Sequence, residues 1–510
     1  MKKASTDLFD LIKSMNMQEK RYFKLFASKQ SGTKNYILIY DAIAKQNTYD
    51  EQAIKKQFSS HRFIIQFARA KNYLYSLIIN SLVAFHSDDN IENSLLNNMQ
   101  QISILVDKGL LKQAHKLLLV SKRIAEEYEH FEILLKLIEK ERSLVFRLYY
   151  KNDSILKLQS ISSEIEDVLI KIKLSNEYRE IWQLNTAYSQ NLGGIRSNID
   201  RENFLKKIIN PEKRISPKDN DFVNSSVRIK VYYHQSCGVY YEILNDYNKS
   251  LVHRIESVKI LEENKKVIED NARAYFICLQ NSIMILMALY HFEEALRYIE
   301  KAKNAFREYQ GISSEEYRSI YVYETDYYVQ TGKFEIGYEM IKVINNDIES
   351  VEISQRDKAF IYFNFSIICL GVENYDEGLY FLNKVLNETM NYLDSETYSV
   401  ALLLNIIFHY ELKNNRLIDY LVSNTYRQLL KRKSLHNVEK AFLNFIRKKL
   451  PKVTNNIELK HSFEVLKTEL EKMTKNQNDK RILQQFDFIS WLESKVTDNS
   501  FSDILDRKKI

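Results

Sequence analysis

Two stretches decide the fold: Asp246-Tyr247-Asn248-Lys249-Ser250 and Asn374-Tyr375-Asp376-Glu377-Gly378. Each places a polar break, an aromatic residue, two mostly polar residues and then a small residue three positions after the aromatic. The pattern recurs at His291-Phe292-Glu293-Glu294-Ala295 and at Gly332-Lys333-Phe334-Glu335-Ile336-Gly337, and an earlier copy stands at Gly109-Leu110-Leu111-Lys112-Gln113-Ala114. The small residues Ser250, Ala295, Gly337 and Gly378 follow one another at steps of 45, 42 and 41. A near-constant step of this length is the signature of stacked helical hairpins. Gly, Ala or Ser at the crossing lets two helices approach without a Cβ clash.

Composition agrees. The 510 residues include 10 Gly and 3 Pro, against usual frequencies of about 7% and 5%. Strand-rich folds consume turn residues, so this depletion predicts long helices with short connections. The 34 Tyr and 26 Phe suit helix seams, because a tyrosine ring buries while its hydroxyl reaches water or a neighbour. Cys237, Cys278 and Cys369 stand far apart and give no disulfide or zinc spacing. No apolar run nears the ~18 residues of a membrane helix, and the start lacks an apolar signal region. A soluble cytoplasmic protein is expected.

Outward from the repeats, the chain divides into three parts. Residues 1–86 lack the repeat and read as short helices at Thr6–Ser14, Gln18–Ala27, Asn35–Lys45, Asp50–Phe58 and Phe63–Phe85. Residues 87–430 read as the repeat array. Within it, Ser143–Lys173 is a hairpin around Lys151-Asn152-Asp153-Ser154, and a further pair contains Trp182 and Tyr188 with a break at Gly193-Gly194. Asn210–Asp221, with Pro211 and Pro217, is a long loop. The step from Gly378 to Tyr420 is 42, although Tyr420 replaces the small residue. Residues 431–510 read as capping helices. Charge follows this division: residues 1–86 carry 14 Lys+Arg against 6 Asp+Glu, and residues 427–510 carry 19 against 11. Both ends are basic and the middle is acidic.

The hairpins resemble tetratricopeptide (TPR) repeats. The resemblance rests on Tyr362, Phe365, Ser366 and Cys369 followed by Tyr375, Gly378, Leu382 and Val385. A second match is His234, Cys237, Gly238 and Tyr241 followed by Tyr247, Ser250 and Ser257. A third is Ile283 and Leu286 with Phe292, Ala295, Ile299 and Ala302. The family step is about 34 residues, so each helix here should be longer by about a turn. That variant is similar to the extended TPR arrays of bacterial peptide sensors and motor light chains. The trailing proline of the family is missing. The resemblance implies an all-α, TPR-like α-solenoid, a right-handed superhelix of helical hairpins, preceded by an N-terminal helical domain.

It also implies that the first helices line a concave surface. Counted from the packing positions, that surface offers Tyr232, Gln235, Glu242, Gln280, Met284, Asp326, Asn405 and His409. These are amides, aromatics and acids, without the lysines and arginines that clamp a C-terminal carboxylate. The expected partner is a protein or an extended peptide, its backbone bonded by Asn and Gln and its side chains packed by Tyr and Met.

Enzyme signatures are not found. Ser31-Gly32-Thr33-Lys34 lacks the first glycine and the Lys-Ser/Thr order of a phosphate-binding loop. His234 and Cys237 share a helix face at i, i+3, but two ligands make no site and no second pair is visible, so neither metal nor cofactor is expected. The function expected is that of a non-enzymatic scaffold or regulator. The alternative is a nucleic-acid-associated regulator. It would use Arg427, Lys431, Arg432, Lys433, Lys440, Arg447, Lys448, Lys449 and Lys452 at one basic end, and Lys20, Arg21, Lys24, Arg62, Arg69 and Lys71 at the other.

Overall fold

A computed structural model describes residues 5–29, 34–87, 89–149, 152–190, 202–203, 205–214, 225–351, 353–432, 434–452, 455–475 and 477–507. The protein is all-α: no strand occurs among the described residues. The chain forms two compact units, residues 1–170 and 171–510.

The first unit opens with α1 (Asp7–Ser14), α2 (Met17–Ser28), α3 (Lys34–Lys45), α4 (Glu51–Gln57) and α5 (Phe67–Phe85), with a short 3-10 turn at Arg62–Gln66. Their apolar faces enclose a core of Phe23, Ile39, Tyr40, Ile43, Leu74 and Ile78. Asn16 starts α2 with a capping box closed by Glu19. Helices α6 (Ile91–Asp107), α7 (Leu111–Glu127) and α8 (Phe131–Leu148) follow, α7 packed on α6 and α8 on α7. Buried Glu141 is paired with Lys122 at 2.5 Å and Lys157 at 2.7 Å.

One expectation changes. No helix ends at Lys173: α9 runs unbroken over Asn152–Gln190. Trp182 and Tyr188 therefore lie on the same helix as Ile161 and Val168. The reason is periodicity: Leu174, Tyr178, Ile181 and Asn185 are buried along one continuing face, and no Gly or Pro interrupts them. The expected break at Gly193-Gly194 lies outside the described residues, as does most of the loop 210–221.

The second unit continues with α10 (Val227–Ile243), α11 (Tyr247–Glu262), α12 (Lys265–Asp270), α13 (Ala272–Ala288), α14 (Phe292–Glu308), α15 (Ser314–Arg318), α16 (Ile320–Thr331), α17 (Phe334–Ser350), α18 (Gln355–Gly371), α19 (Tyr375–Lys384), α20 (Ser395–Glu411) and α21 (Asn415–Lys431). The long helices pair in sequence: α10 with α11, α13 with α14, α16 with α17, α18 with α19, and α20 with α21. Most are 16 or 17 residues long. That length, with a three-residue turn and a short connection, accounts for the step of 41 to 45.

One turn geometry joins the pairs. A residue with positive φ ends the first helix at Asn245, Tyr290, Gly332, Glu373 and Lys413, as at Gly109 and Glu129 in the first unit. The next N–H then bonds five residues back, as in Asp246 to Tyr241 (2.9 Å), His291 to Leu286 (2.9 Å), Lys333 to Tyr328 (3.0 Å), Asn374 to Cys369 (2.9 Å) and Asn414 to His409 (2.9 Å). This left-handed cap satisfies carbonyls that a helix end would otherwise orphan. Glycine takes the position only at Gly109 and Gly332.

The small residues sit at the crossings. Ser250 and Ala295 are fully buried, and Gly337 and Gly378 are buried too. A Cβ on Gly378 would stand 2.5 Å from Phe408. Tyr420 is exposed; Ile418 and Val422 take the contact instead, so the register there moves by two residues.

The chain ends in α22 (Asn437–Asn444), α23 (Asn456–Met473), α24 (Gln477–Gln485), α25 (Phe488–Thr497) and α26 (Phe501–Arg507). These share one core with the repeats. Trp491 is buried between Tyr410, Phe442 and Phe463 and donates to Glu411 at 2.8 Å. Phe501 stacks on Phe334, with ring centroids 5.5 Å apart.

Candidate functional site

The second unit contains a cavity of about 540 Å³. Four first helices contribute to it: α10 gives Val239 and Glu242, α13 gives Ile277, Asn281 and Met284, α16 gives Tyr323 and Asp326, and α18 gives Arg356, Asp357 and Asn364. Trp182 of α9 and Gln485 of α24 complete the wall. These side chains converge because each first helix buries its opposite face on its own second helix.

One wall is fixed by a buried polar network. Arg254 of α11 is 2% exposed. Its Nε and Nη2 donate to Glu242 Oε1 at 2.9 and 2.7 Å, and its Nη1 donates to Gln235 Oε1. Gln235 in turn donates to Ser257 Oγ at 2.7 Å, and Asn281 donates to Gln235 Oε1 at 2.8 Å. Gly238 makes room for the guanidinium, since a Cβ there would lie 2.5 Å from Arg254 Nε. The cation of Arg254 is thus neutralised inside the wall, while the carboxylates of Asp326 and Asp357 face the cavity. Burial lifts the Asp326 carboxyl from its ordinary value of 3.8 to about 6, against one opposing hydrogen bond from Gln330. Asp357 is also raised, chiefly by burial.

This has a measurable consequence. A carboxyl whose folded-state pKa exceeds its unfolded one binds more protons when folded, so its charging destabilises the fold. Stability attributable to Asp326 is greatest below about pH 4 and is lost as pH rises through about 6. Asp326→Asn should therefore raise the melting temperature at pH 7 by a few degrees, with the gain vanishing toward pH 4. Thermal melts of both proteins across that range test it; an equal gain at every pH would contradict the assignment.

The structure places the expected site residues in three locations. Glu242, Met284 and Asp326 line the cavity, and Gln280 bonds Ser319 on its rim. Tyr232 and Gln235 border an adjoining cleft of about 180 Å³ that shares Trp182 and Ile277, but Gln235 is buried and committed to Arg254. Asn405 lines a separate cavity with Asn383, Tyr398 and Gln428. His409 receives a bond from Asn414 at 3.1 Å within its own turn and lines none of these three. The sequence reading missed Trp182, Arg254, Asn281, Arg356, Asp357 and Gln485. The amide-and-acid set is therefore joined by two arginines.

Elsewhere in this unit, Cys237, His253 and Glu212 offer ligand atoms that all lie within 4.8 Å of one another. Of the basic residues near the C-terminus, Lys440, Arg447, Lys448 and Lys449 are exposed, and Arg432 stacks over Tyr398 at 3.8 Å. No helix among the described residues is long and apolar enough to cross a membrane. In comparisons with known proteins, neither a family model nor a curated sequence matches the chain.

Proposed function

We propose that the protein is a non-enzymatic scaffold or regulator that holds an extended peptide or protein segment in the groove of a TPR-like right-handed superhelix. The observation that carries this reading is the cavity built by successive first helices, α10, α13, α16 and α18. Such a wall presents side chains at repeating intervals, as an extended chain does. Asn281, whose amide also bonds Gln235, keeps a second N–H and its carbonyl for a peptide backbone. Trp182 and Tyr323 supply broad rigid surfaces for its side chains. With Arg254 internally paired, Asp326 and Asp357 favour a segment carrying a lysine or arginine, while exposed Arg356 at the mouth accommodates an acidic neighbour.

Selection from a random peptide library displayed at physiological salt tests the reading. Enriched peptides should contain a basic residue, and Asp326→Asn should weaken them by about tenfold, the ~1.4 kcal/mol scale of a charge-assisted hydrogen bond. Enriched peptides that bind Asp326→Asn and Asn281→Ala as well as the parent would sink the assignment.

A further inference from the structure

Cys237, His253 and Glu212 come from three elements. Cys237 is on α10, His253 on α11, and Glu212 on the 3-10 turn Pro211–Lys213. The turn is held in place by Asn185 of α9, fully buried, which donates to the Ile209 carbonyl at 2.8 Å and accepts from its N–H at 3.0 Å. The three ligand atoms lie within 4.8 Å of one another. Around a tetrahedral zinc, donors at 2.0–2.3 Å from the metal stand about 3–4 Å apart. Small side-chain rotations close the difference.

The surroundings have the form of an orienting shell. Tyr241 donates its hydroxyl to Glu212 Oε2 at 2.8 Å and stacks its ring on His253, 12° from parallel. His234 Nδ1 lies 3.0 Å from His253 Nδ1, a contact that holds the His253 ring through this nitrogen and leaves Nε2 as its ligating atom. Partners of this kind hold metal ligands in register.

We propose that Cys237, His253 and Glu212 form a divalent metal site of the zinc class, with His234 and Tyr241 as positioning residues. A thiolate, an imidazole and a carboxylate together suit Zn²⁺ better than Mg²⁺ or Ca²⁺, which take oxygen ligands. Three protein ligands leave a fourth position for water or for a donor from a bound molecule. Binding displaces the Cys237 thiol proton to solvent, so uptake releases a proton. Metal occupancy would tie the Pro211 turn to the α10–α11 pair. This inference is independent of the peptide groove.

The test is titration of chelator-treated full-length protein with Co²⁺, then Zn²⁺. One equivalent of Co²⁺ should bind with a thiolate-to-cobalt charge-transfer band that Zn²⁺ abolishes. Cys237→Ser should lose the band. Glu212→Gln, an exposed change that spares the core, should weaken Zn²⁺ by at least tenfold, and His234→Ala by ~10–100-fold. A wild-type protein without the band, or Zn²⁺ affinity unaltered in Glu212→Gln, would overturn the proposal. Should Cys237→Ser not fold, Glu212→Gln and His253→Gln carry the same reading.

Discussion

Arg254→Met will destabilise the second unit by about 3–5 kcal/mol, the cost of removing one member of a buried ion pair. Methionine fills much of the space over Gly238, so the loss is not a cavity effect. It arises because Glu242 keeps its charge in the wall, deprived of the Nε and Nη2 donors at 2.9 and 2.7 Å. Gln235 retains Ser257 and Asn281, so the damage centres on the carboxylate. Adding Glu242→Leu should therefore recover most of the stability, because an apolar pair of similar volume is often neutral at such sites. Urea unfolding of the two single variants and the double gives the coupling directly. A single-variant loss below about 1 kcal/mol would show that water already solvates Glu242 from the cavity.

Trp491→Ala will cost about as much, ~3–5 kcal/mol, by a different route. Its indole is 1% exposed and fills a box of Tyr410, Phe442 and Phe463. Truncation leaves a void that helices on three sides cannot collapse to fill. Glu411 loses its indole donor but keeps Lys495 at 2.6 Å, so the electrostatic part is small. Trp491→Phe should then cost roughly 1–2 kcal/mol, reflecting volume with only one hydrogen bond lost. Equal losses in the alanine and phenylalanine variants would shift the cause to Glu411. Calorimetric melts of both distinguish the two.

The repeat was legible because its turns are local. A polar residue following a left-handed cap, then an aromatic and a small residue, is written within six positions, and the sequence marks it at Asp246, His291, Lys333 and Asn374. The left-handed residues themselves were less visible: Tyr290, Glu373 and Lys413 are not types that usually accept positive φ. The backbone bond to the carbonyl five residues earlier imposes it. The continuity of α9 was hidden because the stretch was divided into a hairpin ending at Lys173 and a separate pair holding Trp182 and Tyr188, although Leu174 and Tyr178 carry the buried face through.

The site was legible only where it follows helix register. Glu242, Met284 and Asp326 were found because first-helix faces can be counted. Arg254 was not, since a second-helix arginine ordinarily points to solvent; only the absence of a Cβ at Gly238 lets it turn inward. Gln485 was out of reach, being supplied by a helix far along the chain. The same holds for Glu212 and His253: His234 and Cys237 are one turn apart in sequence, whereas their neighbours arrive by tertiary folding.

The bond from Gln484 to Tyr290 at 3.1 Å joins residues 194 positions apart, and Thr397 reaches Gln485 at 3.2 Å. On a ribosome adding about 5–20 residues per second, Tyr290 is made roughly 10–40 s before Gln484. During that interval the nascent repeats carry an unfinished wall, with the apolar surface that later receives Trp491 and Phe501 uncovered. Synthesis order thus sets a window in which chaperone capture competes with closure, and stalling the ribosome between these two positions would hold that window open.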